Sequence, residues 1–467
     1  MDSHHRSTSR VDHIVTQVAL MLESGAYRVG ERLPSVRQAA QEHDVSKNTM
    51  AEAYDRLVAR GLLEARIGSG YYVAQFKTRH APAVQPHVAE AVDQVSLLRE
   101  QLDQNYEVRP GDGRLPPSWM EGSELRRFFL SFKMTGDGTE FGYGSTHGFA
   151  PLRERIRVQL LERSIQAPLD GILLTCGANH AVDLIIRQFL EPGDVVFVDS
   201  PGYYPLFAKL ALAKAQIVGI RRNMDGPDLD DMNAKLTTFR PKLFFTQSQA
   251  HNPTDGTLSP GIAFGLLQAA DKYGFRVVED DTFADIMPAT ATRLAALDQL
   301  QNVIYVGSFS KTLFASLRSG FIAGHPAVVG NLCDLKMVTI VNTSGYVERF
   351  IHGLIQGGHY LRHLRRLRAR LEDAKAIALT KLQASGLTIQ SSRNSGFYLW
   401  GELPAGTDEL MLCRKATADS IFLAPGNVFY PERDGDHPPA TRINIAYAAD
   451  ERLLAFLKRS LRAGRRG

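Results

Sequence analysis

The chain lacks the features that would indicate secretion, a metal centre or a membrane. It has only three cysteines in 467 residues, and Cys176, Cys333 and Cys413 lie too far apart for a metal-binding spacing. Residues 1–10 are polar with no signal-peptide core, and no apolar run is long enough to span a bilayer. We therefore expect a protein of the reducing cytoplasm with no bound metal and no membrane partner.

A large excess of charge is also missing. The net charge is +4, with 44% hydrophobic and 22% charged residues, which is the composition of a globular protein. Global charge therefore does not predict nucleic-acid binding, and the local pattern has to decide that question. The length predicts two or three domains. We expect one at 1–75, a proline-containing linker at 76–105 and another at 106–467.

The first of these domains reads as three short helices followed by a β-hairpin. Ser35 and Ser46 are expected N-caps of the second and third helices, and the Ser35–Gln38 spacing is that of a capping box. This order predicts a winged helix-turn-helix, whose third helix would enter the major groove of double-stranded DNA. A small helical interaction domain is the alternative. The candidate DNA-binding residues are Ser35, Arg37, Ser46, Lys47, Asn48, Thr49, Arg66, Gly68 and Gly70.

Three segments of this domain, at 30–37, 45–49 and 66–73, resemble the GntR family of bacterial transcription factors. The resemblance implies that Arg37, Lys47, Asn48, Thr49 and Gly70 approach an operator. Arginine is frequent in that family where this chain has Lys47. Because lysine cannot read guanine with two parallel hydrogen bonds, we expect Lys47 to contact phosphate.

In the larger domain, strands and helices alternate as in a mostly parallel α/β sheet. Polar residues follow three predicted strands: Asn252 after 243–246, Asp280 after 275–278 and Lys311 after 303–306. This order suits pyridoxal 5'-phosphate (PLP), since Asn bonds the ring hydroxyl, Asp pairs with the pyridinium nitrogen and Lys forms the aldimine. A phosphate would be held by Arg318 with the hydroxyls of Ser308 and Ser310.

From about residue 106 the chain resembles fold-type I aminotransferases, which are α/β proteins. The Tyr-Gly-Ser-Thr-His-Gly stretch at 143–148 implies that Tyr143 reaches the cofactor phosphate of the other subunit of a homodimer. The stretch at 176–181 implies a phosphate cup at the amides of Ala178 and Asn179. Tyr203 would stack on the pyridine ring, in preference to Tyr204. The segments at 395–397 and 441–444 imply a clamp for an effector carboxylate, which contains Gly396 and Arg442.

The chain departs from this family at two positions. The family's Asn-Pro-Thr-Gly ends in Asp255 here, so we expect Asp255 to adopt the left-handed backbone conformation that glycine favours. The family's tyrosine after Asp-Asp-x is Phe283 here. That phenol normally bonds the cofactor ring oxygen and lowers the pKa of the aldimine, so its absence predicts poorly tuned proton transfer.

The order of winged helix, linker and aminotransferase-like domain resembles the MocR/GabR subgroup of GntR regulators. The resemblance implies a PLP-dependent regulator that senses an amino acid or related amine by exchange at Lys311 and has a vestigial enzyme fold. Effectors in that subgroup include γ-aminobutyrate, taurine, ectoine-derived amines and PLP itself, and Arg442 favours an amino acid. Two alternatives are a working aminotransferase with a DNA-binding appendage, and a protein that keeps the fold without PLP.

Overall fold

The computed structural model describes residues 10–23, 27, 30–66, 68–74, 96–103, 105–120, 123–133, 142–391, 396–432 and 435–463. The chain divides into two compact units, residues 1–85 and 86–467. Ile67, Ser395 and most of the predicted linker lie outside the described residues. Within the described part, no helix is long and apolar enough to cross a membrane.

The smaller unit is the predicted winged helix-turn-helix. Its helices are α1 (Arg10–Glu23), α2 (Val36–Glu42) and α3 (Lys47–Ala59), and its antiparallel strands are β1 (Leu63–Arg66) and β2 (Gly70–Val73). The three helices form one apolar core around the fully buried Val15, Met50 and Leu57. The predicted caps are confirmed, because the hydroxyl of Ser35 accepts from the amide of Gln38 and that of Ser46 from the amide of Thr49.

One detail of the second helix differs from the prediction. In a capping box the side chain at the third position bonds back to the cap residue. Here the Gln38 side chain instead donates to Glu42 Oε1 at 3.0 Å, one turn further along the helix. The cap is therefore one-sided.

The larger unit alternates helices and strands, as predicted. Its helices are α4 (Ser96–Asp103), α5 (Pro117–Met120), α6 (Ser123–Ser131), α7 (Ala150–Glu162), α8 (Ala178–Phe189), α9 (Tyr204–Leu212), α10 (Leu229–Leu236), α11 (Pro260–Tyr273), α12 (Leu294–Asp298), α13 (Pro326–Ile340), α14 (Gly345–Gln356), α15 (His359–Gln383), α16 (Glu409–Ala418) and α17 (Glu451–Ala463). Its strands are β3 (Ile172–Thr175), β4 (Val195–Ser200), β5 (Gln216–Asn223), β6 (Gly226–Pro227), β7 (Pro241–Thr246), β8 (Arg276–Asp280), β9 (Val303–Ser308), β10 (Gly320–Ala323), β11 (Thr388–Gln390), β12 (Tyr398–Glu402), β13 (Ala424–Pro425) and β14 (Ala440–Asn444).

Two sheets organise this unit. The larger has eight strands in the order β3-β10-β9-β8-β7-β4-β5-β6, and the smaller has four in the order β11-β12-β14-β13. Strands β9, β8, β7, β4 and β5 run parallel, whereas β10 and β6 run antiparallel to their neighbours. The inner strands are buried, so they read as apolar runs in the sequence.

The second half of the predicted linker contains helix α4, which packs into the larger unit. Leu97 is buried in its core, and the Gln101 side chain donates to the hydroxyl of Tyr204 at 3.2 Å. Leu102, on the same helix, is 63% exposed. Contacts with the rest of the unit, and not helical periodicity alone, decide which side of this short helix faces inward.

Candidate PLP and DNA sites

The predicted site residues follow strands that are neighbours in the large sheet. Asp280 ends β8, Lys311 lies three residues after β9, Asn252 lies six after β7 and Tyr203 lies three after β4. Because β9, β8, β7 and β4 are adjacent and parallel, their carboxyl ends lie along one edge of the sheet. A ligand site is expected at this edge of an open α/β sheet.

Asp280 has a carboxylate oxygen with no partner. Its Oδ2 accepts a hydrogen bond from Gln247 Nε2 at 2.8 Å, while Oδ1 is buried without a hydrogen-bond partner among the described residues. Burial raises the pKa of Asp280 to about 6, and the Asp281 charge acts in the same direction against the Gln247 bond. An unpaired buried oxygen of this kind fits a cationic N–H donor such as a pyridinium.

The acidic residues on either side of Asp280 have structural partners. Glu279 accepts hydrogen bonds from the amides of Leu294 and Ala295, at the start of α12, and from Ser248. Burial raises the pKa of Glu279 to about 7. Asp281 pairs with Arg293 at 2.5 Å inside the core. Asp281 Oδ1 also lacks a hydrogen-bond partner among the described residues, but the charge of Asp281 is balanced by Arg293, whereas no ion pair to Asp280 is found in that part of the chain.

Lys311 lies against residues from distant parts of the chain. Its Nζ donates to the carbonyl of Gly113 at 2.5 Å and to the hydroxyl of Tyr398 at 3.2 Å. It also lines a cavity of about 400 Å³, whose other walls include Arg109 and Arg114. The lysine therefore has an open side from which a small molecule can approach.

A candidate phosphate cradle lies at the amino-terminal end of α8. This helix begins after Gly177, whose φ is +82°, with no side-chain cap on its first amides. The Oγ of Ser310 is buried without a hydrogen-bond partner in the described residues. A Cβ on Gly177 would lie 3.3 Å from Arg318 Nη2 and 3.6 Å from Ser310 Oγ. The amides of Ala178 and Asn179, an unused hydroxyl and a guanidinium therefore meet, as a phosphate requires.

Ser308 differs from Ser310 in its bonding. Its hydroxyl accepts from the amide of Ser310 at 3.1 Å and lies 3.4 Å from the carbonyl of Ser319. The geometry gives Ser308 a role in shaping the turn that carries Ser310 and Lys311, while its predicted phosphate contact stays a prediction.

Tyr203 lies close to Asp280, and burial raises its pKa, with the Asp280 charge acting in the same direction. Both residues line one small cavity. The neighbouring Tyr204 is 2% exposed, and its hydroxyl bonds Gln101. The stacking role of Tyr203, preferred over Tyr204, stays a prediction.

Asn252 and Arg442 are directly bonded to each other. Arg442 Nη1 donates to Asn252 Oδ1 at 3.0 Å, and Nη2 donates to the carbonyl of Gly111 at 2.8 Å. Arg442 Nε is buried without a partner among the described residues, and the side chain stacks over Tyr398, with 4.4 Å between Cζ and the ring centroid. The residue predicted to bind an effector carboxylate therefore contacts the residue predicted to bind the ring hydroxyl, and both roles stay predictions.

Asp255 adopts the predicted left-handed conformation, with φ of 63°. Its Oδ2 pairs with Lys375 at 2.6 Å inside the core, and its Oδ1 accepts from the amide of Gly396 at 3.2 Å. A Cβ on Gly396 would lie 2.6 Å from Asp255 Oδ1. The glycine therefore allows the close approach of Asp255, and its predicted effector contact stays a prediction.

Tyr143 is 88% exposed. Within one chain it is not brought into the cluster around Lys311, which leaves it available for a second subunit.

Phe283 is buried. Its ring packs edge-on against Phe397, with ring centroids 5.0 Å apart, and against Tyr398, with centroids 5.9 Å apart.

In the smaller unit, the candidate DNA-binding residues form the start of α3 and the wing. Lys47, Asn48 and Arg37 are exposed, while the Thr49 hydroxyl bonds that of Ser46 at 2.8 Å. In the wing, Gly68 and Gly70 have φ of +73° and +105°, which side chains rarely adopt. The exposed Arg66 lies over the Tyr72 ring at 4.3 Å and pairs with Glu64.

Two site residues were not expected from the sequence. Gln247 bonds Asp280 and, through Oε1, the amide of Asn252 at 2.8 Å, so it links two strand ends. Its position directly after β7 was the available signal. Tyr398 comes from the small sheet, and no local pattern connected it with Lys311.

Comparisons with known proteins agree with both units. The family described as aminotransferase class I and II matches residues 108–459, and the bacterial regulatory proteins of the gntR family match residues 10–73. The HTH-type transcriptional regulator YdcR of Escherichia coli is 27% identical over 90% of this chain and 92% of its own length. The regulator YdfD of Bacillus subtilis is 26% identical over 94% and 93%.

Solved structures match the larger unit. The kynurenine aminotransferase of Pyrococcus horikoshii has a TM-score of 0.72 and 25% identity, over 84% of this chain and 97% of that one. The α-aminoadipate aminotransferase LysN of Thermus thermophilus has a TM-score of 0.71 at 24% identity, over 80% and 97%, and this likeness shows the fold.

Proposed function

Because this chain belongs to the aminotransferase class I and II family and joins that domain to a GntR DNA-binding domain, as its regulator relatives do, we propose that it senses an amino acid or related amine through PLP held by Lys311. The chain is a transcriptional regulator of MocR-like architecture, and its relatives over nearly the whole length are named regulators and not enzymes. Its site of action is the cytoplasm, where operator DNA is accessible.

The observation that carries the PLP assignment is the pair of unused polar atoms beside Lys311. Asp280 Oδ1 and Ser310 Oγ are both buried without partners among the described residues. Buried polar groups are normally paired, so an unpaired carboxylate oxygen at the end of β8 and an unpaired hydroxyl next to Lys311 in sequence support a ligand that has both a cationic N–H and an anionic group. PLP carries a pyridinium and a phosphate, and when bound it would supply an electrophilic carbon for amines.

The effector side of the site favours a carboxylate. Arg442 is 1% exposed, and its Nη2 is bonded to the carbonyl of Gly111. A carboxylate that replaces this carbonyl would gain a charge-assisted contact with the guanidinium. The residues around Lys311 therefore support an amino acid as effector, whose amine would replace Nζ at the cofactor carbon while its carboxylate binds Arg442.

DNA binding is assigned to the smaller unit, with α3 in the major groove of a double-stranded operator and the wing beside it. We expect a homodimer in which Tyr143 reaches the partner's phosphate site. The effector can alter operator binding only by as much as its affinity differs between the two states of the protein.

A working aminotransferase is the second candidate. The retention of Lys311, Asp280 and Arg442 favours it, as does the fold shared with the kynurenine aminotransferase. The buried Phe283 opposes it, because that position lacks the hydroxyl that tunes proton transfer in active relatives.

One experiment separates the two candidates. Full-length protein loaded with PLP is titrated onto DNA from upstream of its own gene, with and without γ-aminobutyrate or taurine, and is assayed for turnover with amino acids and 2-oxoglutarate. The regulator assignment predicts specific DNA binding and no turnover at ordinary aminotransferase rates. Rapid multiple turnover without specific DNA binding would establish the enzyme instead.

A further inference from the structure

The hydroxyl of Tyr398 lies between the Gly113 carbonyl and Lys311 Nζ. It donates its single proton to the carbonyl of Gly113 at 2.7 Å, and Lys311 Nζ lies 3.2 Å from the hydroxyl oxygen of Tyr398. Because a phenol has one proton and that proton points at Gly113, its lone pairs face Nζ. Tyr398 is therefore the acceptor of a hydrogen bond from Lys311.

The position of Tyr398 is strongly constrained. The residue is 1% exposed, with the Arg442 guanidinium stacked on its ring and the edge of Phe283 against it. A Cβ at Gly113 would lie 2.8 Å from Gln101 Oε1, so the absence of a side chain there is needed for the packing of Gln101, while the Tyr398 hydroxyl would remain at contact distance, 3.6 Å. The hydroxyl is thus held near Nζ by the packing of Arg442 and Phe283 on the ring and by its hydrogen bond to Gly113.

This chain lacks a phenol at position 283 but has one close by, at Tyr398. The turn after β8 presents no hydroxyl at 283, and β12 in the small sheet presents one at 398. The two sites differ in what they favour. By the family resemblance, a hydroxyl at 283 would bond the ring oxygen of the cofactor, whereas the oxygen of Tyr398 accepts from Nζ and so favours the protonated nitrogen.

We propose that Tyr398 is the positioning residue that holds a proton on Nζ of Lys311 and thereby keeps the lysine ready to be replaced by an effector amine. The proposal rests on the proposed function and adds a residue to it. In the replacement, the effector nitrogen forms the new bond to the cofactor carbon, the bond from that carbon to Nζ breaks, and one proton passes from the effector nitrogen to Nζ. No oxidant or reductant takes part, so a chain built in this way can exchange amines without oxidising them.

Other charged or titratable groups surround Nζ. Each either lies beyond hydrogen-bond distance from Nζ or is paired with a group of opposite charge. They are Arg109, Asp112, Arg114 and Tyr447 along the cavity, Asp280 at the end of β8 and Arg442 behind Tyr398. Arg109 and Asp112 are paired at 2.9 Å, and Arg114 also bonds Asp112. The contacts that the structure shows at hydrogen-bond distance from Nζ are Gly113 and Tyr398.

The test uses the full-length protein loaded with PLP. The visible absorption of wild type, Tyr398→Phe and a control, Tyr430→Phe, is titrated with pH, and borohydride trapping identifies the labelled lysine. Tyr430 is a partly buried tyrosine that stacks on His437, with 4.0 Å between ring centroids, and it lies outside the Lys311 cavity. Tyr398→Phe should lower the midpoint of this absorption titration by about one pH unit, which corresponds to a tenfold lower affinity of the cofactor-bound Nζ for its proton. Tyr430→Phe should leave it in place.

A second readout follows the rate at which methylamine changes the spectrum, and its pH profile should shift by the same amount in Tyr398→Phe. Tyr398→Met removes the hydroxyl in a second way with a flexible side chain, in case the phenylalanine variant does not fold. An unchanged midpoint in both variants, with PLP still trapped at Lys311, would overturn this inference and leave the proposed function intact. A wild type that traps no PLP at Lys311 would overturn both.

Discussion

Arg442 donates a hydrogen bond to the side-chain oxygen of Asn252 at 3.0 Å, which joins the small sheet to the carboxyl edge of the large one. Arg442 belongs to β14, and Asn252 follows β7. A ligand that rearranges the Arg442 contacts therefore acts on both sheets at once. This bond places the expected effector clamp next to the expected cofactor partner and gives the site a route by which occupancy can change the packing of two layers.

The unpaired oxygen of Asp280 predicts a gain in stability when its charge is removed. The pKa of Asp280 in the folded protein is about 6, above its usual value near 3.9, so the folded state disfavours the ionised form. The penalty is absent below about pH 4, grows as pH rises and is complete above about pH 6. In the cofactor-free protein, Asp280→Asn should raise the free energy of unfolding at pH 8 by about 1–3 kcal/mol.

Urea unfolding at pH 8 and pH 4 measures this effect, and the difference from wild type should vanish at pH 4. The matched control is Asp281→Asn, which should destabilise the protein because it leaves the buried Arg293 without its partner. The Asp280→Asn variant should also retain PLP poorly. Equal stability of wild type and Asp280→Asn at pH 8 would contradict the account of this carboxylate.

The start of α3 should supply contacts to DNA. Lys47→Ala and Arg37→Ala should each weaken operator binding, since both side chains are exposed at the amino-terminal ends of α3 and α2. If Lys47 contacts phosphate, its loss should weaken all sequences about equally and reduce the salt slope by about one. Gel-shift titrations at several salt concentrations measure this.

Arg60→Ala is the control for these variants, because Arg60 is an exposed cation at the opposite end of the same helix. Its removal should have a smaller effect than either of the others. Binding that Lys47→Ala and Arg37→Ala leave at the wild-type level would refute the assignment of α3 as the recognition helix.

Tyr143 should act across a dimer interface. It is 88% exposed in the single chain, so a phosphate contact from it would have to be made to a second subunit. Tyr143→Phe should therefore speed the loss of PLP during dialysis while Lys311 remains the labelled lysine, and Tyr273→Phe should not. Light scattering that finds a PLP-loaded monomer would contradict the shared site.

Restoring a phenol at position 283 should make the protein more enzyme-like. Phe283→Tyr should lower the midpoint of the visible pH titration and raise the rate of pyridoxamine phosphate formation with an amino acid by about tenfold, if one bond of about 1.4 kcal/mol forms in the transition state. Stopped-flow absorbance and product assay measure this. Since Phe283 is buried against Phe397 and Tyr398, a matched melting curve has to show that the added oxygen fits. Rapid multiple turnover of amino acids by the wild-type protein would contradict this prediction.

The sequence predicted those parts of the fold and site that depend on local pattern. The caps Ser35 and Ser46, the apolar strands and the turn conformation of Asp255 are each decided by neighbouring residues, and they were predicted. Parallel strands bring their carboxyl ends together, so Asn252, Asp280 and Lys311 could be placed near one another in advance.

Features that depend on contacts between distant segments could not be predicted in this way. Lys311 is 87 positions from Tyr398 and 198 positions from Gly113 in the sequence, and no periodicity encodes such contacts. The inward face of α4 is decided by Tyr204 and its neighbours. The packing of Gly396 against Asp255 likewise joins segments that are 141 positions apart in the sequence.

The most direct test of the account is to map the lysine that holds PLP. Full-length protein is incubated with PLP, reduced with borohydride, digested and analysed by mass spectrometry, with Lys311→Ala and Lys209→Ala treated in parallel. The account predicts that the cofactor mass lies on the peptide that contains Lys311, is absent from the folded Lys311→Ala protein and persists in Lys209→Ala. Label on another lysine, or none on the wild type, would contradict it.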